Sequence, residues 1–98
     1  MIKQTPLRGK DQVKVSFILP SDAVTGKVSV VGDFNDWDPT VHQLRARSNG
    51  TRSAAVTLPA QRRFAFRYVD ESGRWLDDDA AHDYQENGLG GVNSVVIT

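Results

Sequence analysis

Apolar and polar positions alternate along most of this chain with a period of two. Val13, Val15, Phe17 and Leu19 are interleaved with Lys14, Ser16 and Ile18 ahead of Pro20, the pattern of a strand with one buried face. Val28, Val30 and Phe34 continue that logic in a second strand, where Gly32 leaves a gap in the inward row. A third strand is read from Ala54, Val56 and Leu58, ended by Pro59, and a fourth from Phe64, Phe66 and Tyr68 alternating with Ala65, Arg67 and Val69. Val95 and Ile97 supply a last strand, and His42 to Arg47 a short edge strand. Turn-forming residues separate these runs at Pro20-Ser21-Asp22, Asn35 to Pro39, Ser48-Asn49-Gly50 and Asp70 to Gly73. No helical period, repeat or low-complexity tract interrupts them. The expected fold is therefore all-β, an immunoglobulin-like β-sandwich of about seven strands, built as a single domain over residues 1–98.

Two tryptophans depart from the core pattern. Trp37 lies in Gly32-Asp33-Phe34-Asn35-Asp36-Trp37-Asp38-Pro39 and Trp75 in Gly73-Arg74-Trp75, both where the backbone is expected to turn. A large aromatic in such a setting can present its ring at the surface. Where Trp75 points depends on the hairpin register. With a four-residue loop, Asp70 to Gly73, Tyr68 would face Trp75 and the indole would enter the core. With a three-residue loop, Glu71-Ser72-Gly73, Val69 faces Trp75 and the indole lies outside with Arg67. Gly73 at the third loop position favours the second register, because that position needs a left-handed backbone.

Charge narrows the ligand. Twelve basic and twelve acidic side chains cancel, and no stretch carries a Lys/Arg block, so a nucleic-acid partner is not expected. No apolar run is long enough for a membrane span or a signal peptide, which makes a soluble cytoplasmic protein the expectation and a membrane partner an unexpected one. The absence of cysteine removes disulfides and thiolate chemistry. A neutral ligand with flat apolar faces and many hydroxyls fits what remains: stacking indoles, with polar side chains at the rim.

The motifs Gly32-Asp33-Phe34-Asn35-Asp36-Trp37, Phe66-Arg67-Tyr68, Gly73-Arg74-Trp75 and Leu89-Gly90-Gly91-Val92-Asn93 occur in that order across Val13 to Thr98. Together they resemble the early-set glycogen-binding domains, such as that of the β subunit of AMP-activated protein kinase and those at the N-termini of isoamylases and glycogen-branching enzymes. The resemblance implies a module that binds α-1,4-glucan without catalysis, with no cofactor and no metal. It also implies roles: Trp37 and Trp75 as stacking platforms, Arg67 as a basic donor, Leu89 as a wedge against the glucan and Asn93 as a partner of sugar hydroxyls. Gly91 departs from it by standing where a threonine can contribute a hydroxyl, and Asp79 by replacing a proline.

The remaining candidate chemistry is an acidic run, Asp77-Asp78-Asp79, with His82 and Asp83. Adjacent residues of an extended chain point to opposite sides, so these oxygens are not expected to converge on a metal. No motif of the kind that activates a serine nucleophile is present, and a small sandwich offers no evident cleft for paired carboxylates. An enzyme is not expected. A separate glucan-processing enzyme or another protein stands as a further partner, and a protein-interaction domain of the same fold as the alternative function.

Overall fold

The computed structural model describes every residue except Lys10, Thr25 and Leu89. Among the described residues the chain is all β, with strands β1 (Ile2–Pro6), β2 (Gln12–Pro20), β3 (Val28–Gly32), β4 (Arg45–Ala46), β5 (Thr51–Pro59), β6 (Arg63–Asp70), β7 (Trp75–Leu76), β8 (Asp83–Glu86) and β9 (Val92–Ile97). They form two antiparallel sheets, one ordered β1-β2-β5-β4 and the other β3-β6-β9-β8, with β7 added to β6. The two sheets make the expected sandwich, with nine strands in place of about seven.

The alternation read from the sequence is the alternation of burial. Along β2 the inward Val13, Val15, Phe17 and Leu19 are buried while Gln12 and Lys14 are exposed. On β5, Ala54, Val56 and Leu58 face the same core. Pairing of Val15 with Val56 and of Phe17 with Ala54 places these inward rows side by side. From the second sheet come Val28, Val30, Phe66, Tyr68 and Val96. A row of rings crosses the interior: Phe17 lies 5.4 Å from Phe34 and 4.9 Å from Phe66, which in turn lies 5.7 Å from Tyr68. Such aromatic pairs add specific edge and face contacts to the general gain from burial.

Two strands were not legible in the pattern. β1 is a short edge strand whose inward residues, Ile2 and Gln4, are only half-buried, and all four residues of β8 are exposed. Weak apolar content at an edge is how sheets limit unwanted pairing, and Lys3 on β1 and Arg45 on β4 place charge on the edge strands of the first sheet. The expected edge segment His42 to Arg47 passes between sheets. Gln43 bridges to Ser29 of β3, Leu44 is buried, and Arg45–Ala46 pairs with β5.

The second strand ends earlier than expected. β3 stops at Gly32, and Phe34 stands in the turn beyond it, half-buried, with its ring against the core. Gly32 is what allows this: a Cβ there would lie 2.4 Å from the Ala65 carbonyl oxygen and 2.8 Å from the Phe34 ring. The gap in the inward row is filled by Phe34. Val31, Ala65 and Val95 are also buried, although their register places them on the opposite, outer face of the sheet. The middle of the second sheet is therefore covered on both sides, and its outer face carries the site.

Candidate functional site

Arg67 occupies a junction on β6. Along the same edge of that strand, β9 pairs with Arg63 through Phe66, and β7 pairs with Tyr68 and Val69. Arg67 is the β6 residue between the two partners. Ala65 pairs with Val95, so Arg67 and Asn93, each two residues further along, share the outer face. Val69 pairs with Trp75, which puts the indole on that face too, 46% exposed.

The hairpin that carries Trp75 is held locally. Asp70 and Arg74 close it through Asp70 N to Arg74 O at 3.0 Å, leaving the loop Glu71-Ser72-Gly73, and Gly73 has φ 86°. The Asp70 carboxylate accepts from Ser72 Oγ at 2.6 Å, Arg74 N at 2.9 Å and Ser72 N at 3.0 Å. The Ser72 hydroxyl, followed by the Arg74 backbone, holds the Asp70 carboxyl below the usual carboxylate range.

Trp37 reaches the site from the other edge of β6. Beyond Gly32, Asp33 N donates to Ala65 O at 3.0 Å and its carboxylate accepts from Ala65 N at 2.9 Å, so the turn stays docked on β6. Asn35 organises the rest with every polar atom of its amide used. Its Oδ1 accepts from Gly32 N at 3.0 Å, and its Nδ2 donates to Val30 O at 3.0 Å and to His42 Nδ1 at 2.9 Å. Asp36 and Trp37 follow with φ of 55° and 59°, a left-handed conformation that L residues avoid. The turn holds them there through Trp37 N to Gly32 O at 3.1 Å and Trp37 Nε1 to Asp33 Oδ1 at 3.3 Å.

The result is a shallow cavity of about 640 Å³ lined by Trp37, Arg67, Trp75, Asn87, Gly90, Gly91 and Asn93. Four of the five residues singled out in the sequence thus come together from four separate segments. The fifth, Leu89, lies outside the described residues. Among the described residues its wall carries two indoles, the Arg67 guanidinium and the carboxamides of Asn87 and Asn93. Arg67 lies over Trp75, its Cζ 5.4 Å from the ring centre, while its Nε donates to Asp77 at 2.8 Å. That pair fixes the guanidinium against the indole and neutralises its charge.

Sequence reading missed Asn87 and Asp77. Asn87-Gly88 carries the ordinary signal of a hairpin turn, and nothing in it marks the Asn as part of a wall. Asp77 belongs to the acidic run, which the fold disperses. Asp77 turns to Arg67, and Asp83 meets Arg63 at 2.7 Å. Asp78 is buried, accepting from Tyr68 Oη and from the Met1 amino group at 2.7 Å each and from Ala80 N at 2.8 Å. Burial, and then the Asp78 charge, push the Tyr68 phenol well above its ordinary range.

No family model matches this chain. A stretch of 24 residues, 24% of the chain, is 67% identical to part of the 1,4-alpha-glucan branching enzyme GlgB of Rhodopseudomonas palustris strain BisB5, and the same figures hold for strain HaA2. The matched stretch spans 3% of the length of each of those enzymes.

Proposed function

We propose that this protein is a non-catalytic α-glucan-binding module, its ligand a chain of the glycogen, starch or maltooligosaccharide type. One observation carries the reading: Trp37, Trp75, Arg67 and Asn93, distant in sequence, line one concave surface on the outer face of the second sheet. Indole faces suit the apolar C–H faces of glucose, and the guanidinium and carboxamides suit its hydroxyls. Trp37 supports the reading in a second way. A bulky residue held at φ 59° costs about 1–2 kcal/mol, and such strain gathers where a side chain must be aimed. The likeness of a 24-residue stretch to an enzyme named for 1,4-alpha-glucan agrees with this ligand class.

The test is a titration with maltoheptaose followed by backbone amide shifts. The expected dissociation constant is about 10 μM to 1 mM, because a few stacked rings and solvent-competed hydrogen bonds must offset the lost freedom of the sugar. Shifts should gather at Trp37, Arg67, Trp75 and Asn93. No shift at about 10 mM sugar, roughly ten times the weak end of that range, would exclude the glucan and leave a protein partner as the function.

A further inference from the structure

We infer that the outer face of the first sheet is a docking surface for an acidic polypeptide segment of a partner protein, held by Lys3, Lys14, Arg45 and Arg47. The inference is independent of the glucan reading: the glucan cavity opens on the outer face of the second sheet, across the core from this one.

Strand parity gathers these four cations, which the sequence scatters. On β2 the inward row is Val13, Val15, Phe17 and Leu19, so Lys14, Ser16 and Ile18 face outward. Lys3 pairs with Ser16 and shares that face, a diagonal neighbour of Lys14 about 7–8 Å away. Arg45 pairs with Ser53, which alternates with the buried Ala54. Arg47 follows β4, and its Nε donates to Ser53 Oγ at 2.8 Å. All four cations are exposed. None of the twelve acidic side chains of the chain lies on a strand of this sheet.

The two outer faces differ in how their cations are paired. On the second sheet Arg63 meets Asp83 and Arg67 meets Asp77. On the first, among the described residues, none of the four meets a carboxylate, and Arg47 has only the neutral Ser53. Protection of sheet edges accounts for charge of either sign on edge strands, whereas Lys14 lies on the inner strand β2 and all four charges have one sign. Like charges on one face repel each other, and an anionic partner relieves that repulsion.

The shape of the face favours an extended chain. Arg45 and Arg47 stand two residues apart, about 7 Å, which is also the spacing of alternate side chains on an extended peptide. Both line a hollow of about 460 Å³, with room for acidic side chains. A guanidinium can bind a carboxylate there through two parallel hydrogen bonds. Between the cations lie Thr5, Ser16, Ile18, Ala55 and Thr57, all small or β-branched, so a peptide can lie flat across them. No aromatic side chain of these strands faces outward for a base to stack on, which favours a polypeptide over a nucleic acid.

The experiment titrates the protein with an oligoglutamate of about ten residues, long enough in extended form to cross the face along the nine residues of β2, and follows backbone amide shifts at low ionic strength. Shifts should gather at Lys3, Lys14, Arg45, Arg47 and Ala55. Physiological salt should weaken binding at least about threefold, because exposed charges are screened. K14E and R45E should each weaken it about three- to tenfold, through one lost pair and one added repulsion. K27E makes the same change of net charge beside the β6–β7 hairpin and should leave peptide affinity within about twofold. Saturating maltoheptaose should not displace the peptide. Absence of shifts on this face, equal losses in K27E and R45E, or displacement by maltoheptaose would each overturn the inference. An oligothymidylate that binds this face more tightly than the peptide would overturn it in favour of a nucleic acid. A protein that binds the peptide here but no glucan would support this inference and overturn the glucan reading alone.

Discussion

Val69 stands directly opposite Trp75 across the β6–β7 hairpin. That pairing sends the indole to the outer face, whereas the neighbouring pair, Tyr68 with Leu76, faces the core. A shift of one residue would exchange the two faces and bury the tryptophan beside Tyr68.

Binding and folding should therefore separate at Trp75. Trp75→Ala is expected to weaken maltoheptaose binding by about 1–2 kcal/mol, some five- to thirtyfold, with little change in a denaturant melt. Phe66→Ala, at a fully buried position, should cost about 3–5 kcal/mol of stability through lost packing and a cavity. A Trp75 variant that melts as early as the Phe66 variant would contradict the outward placement.

Asn35 should behave as a residue that aims Trp37. Asn35→Ala removes an acceptor for Gly32 N and donors to Val30 O and His42, so about 1–3 kcal/mol of stability is expected to go. Glucan affinity should fall with it, although Asn35 does not line the cavity. Melts and titrations of Asn35→Ala beside Trp37→Ala check this, and full glucan affinity in the Asn35 variant would show that the turn orients Trp37 without it.

Added salt should hardly matter to glucan binding. The proposed ligand is uncharged, and Arg67, the one cation lining the site among the described residues, is already paired with Asp77, so few counterions are released on association. Titrations at low and physiological ionic strength should give the same dissociation constant within about twofold, whereas an anionic ligand would lose affinity steeply.

Alkaline pH should destabilise the fold through Tyr68. Burial and Asp78 raise the phenol above its ordinary value of about 10, so the unfolded chain releases this proton first. The stability tied to the neutral phenol is complete below that ordinary value and declines as pH climbs past it. Tyr68→Phe removes the donor to Asp78 and should lower stability at neutral pH by about 1–3 kcal/mol, and it should flatten the decline above about pH 10. Urea melts across pH 7 to 11 would measure both effects.

Most of the sandwich was determined by the sequence alone, because burial of one face imposes a period of two that no other element shares. β2, β5 and β6 follow directly from it, and Gly73 at the third loop position selected the register that turns Trp75 outward. The turn residues around Trp37 likewise marked a surface aromatic. The tertiary structure decided what depends on pairing between distant segments. β8 has no buried face and so no pattern, and β1 has only a weak one; both exist because a neighbouring strand offers hydrogen bonds. Phe34 looked like the next inward residue of a strand, yet Gly32 lets the chain leave the sheet and fold the ring back over the gap. The acidic run was not expected to converge, since adjacent residues in extended chain face opposite ways, but which partners its members meet, Arg67, Tyr68 and Arg63, was set by the fold. Asn87 entered the site for the same kind of reason: its position on the wall is set by the bonds it exchanges with Gly91 and by which strands lie beside β6, and neither is written in the residues next to it.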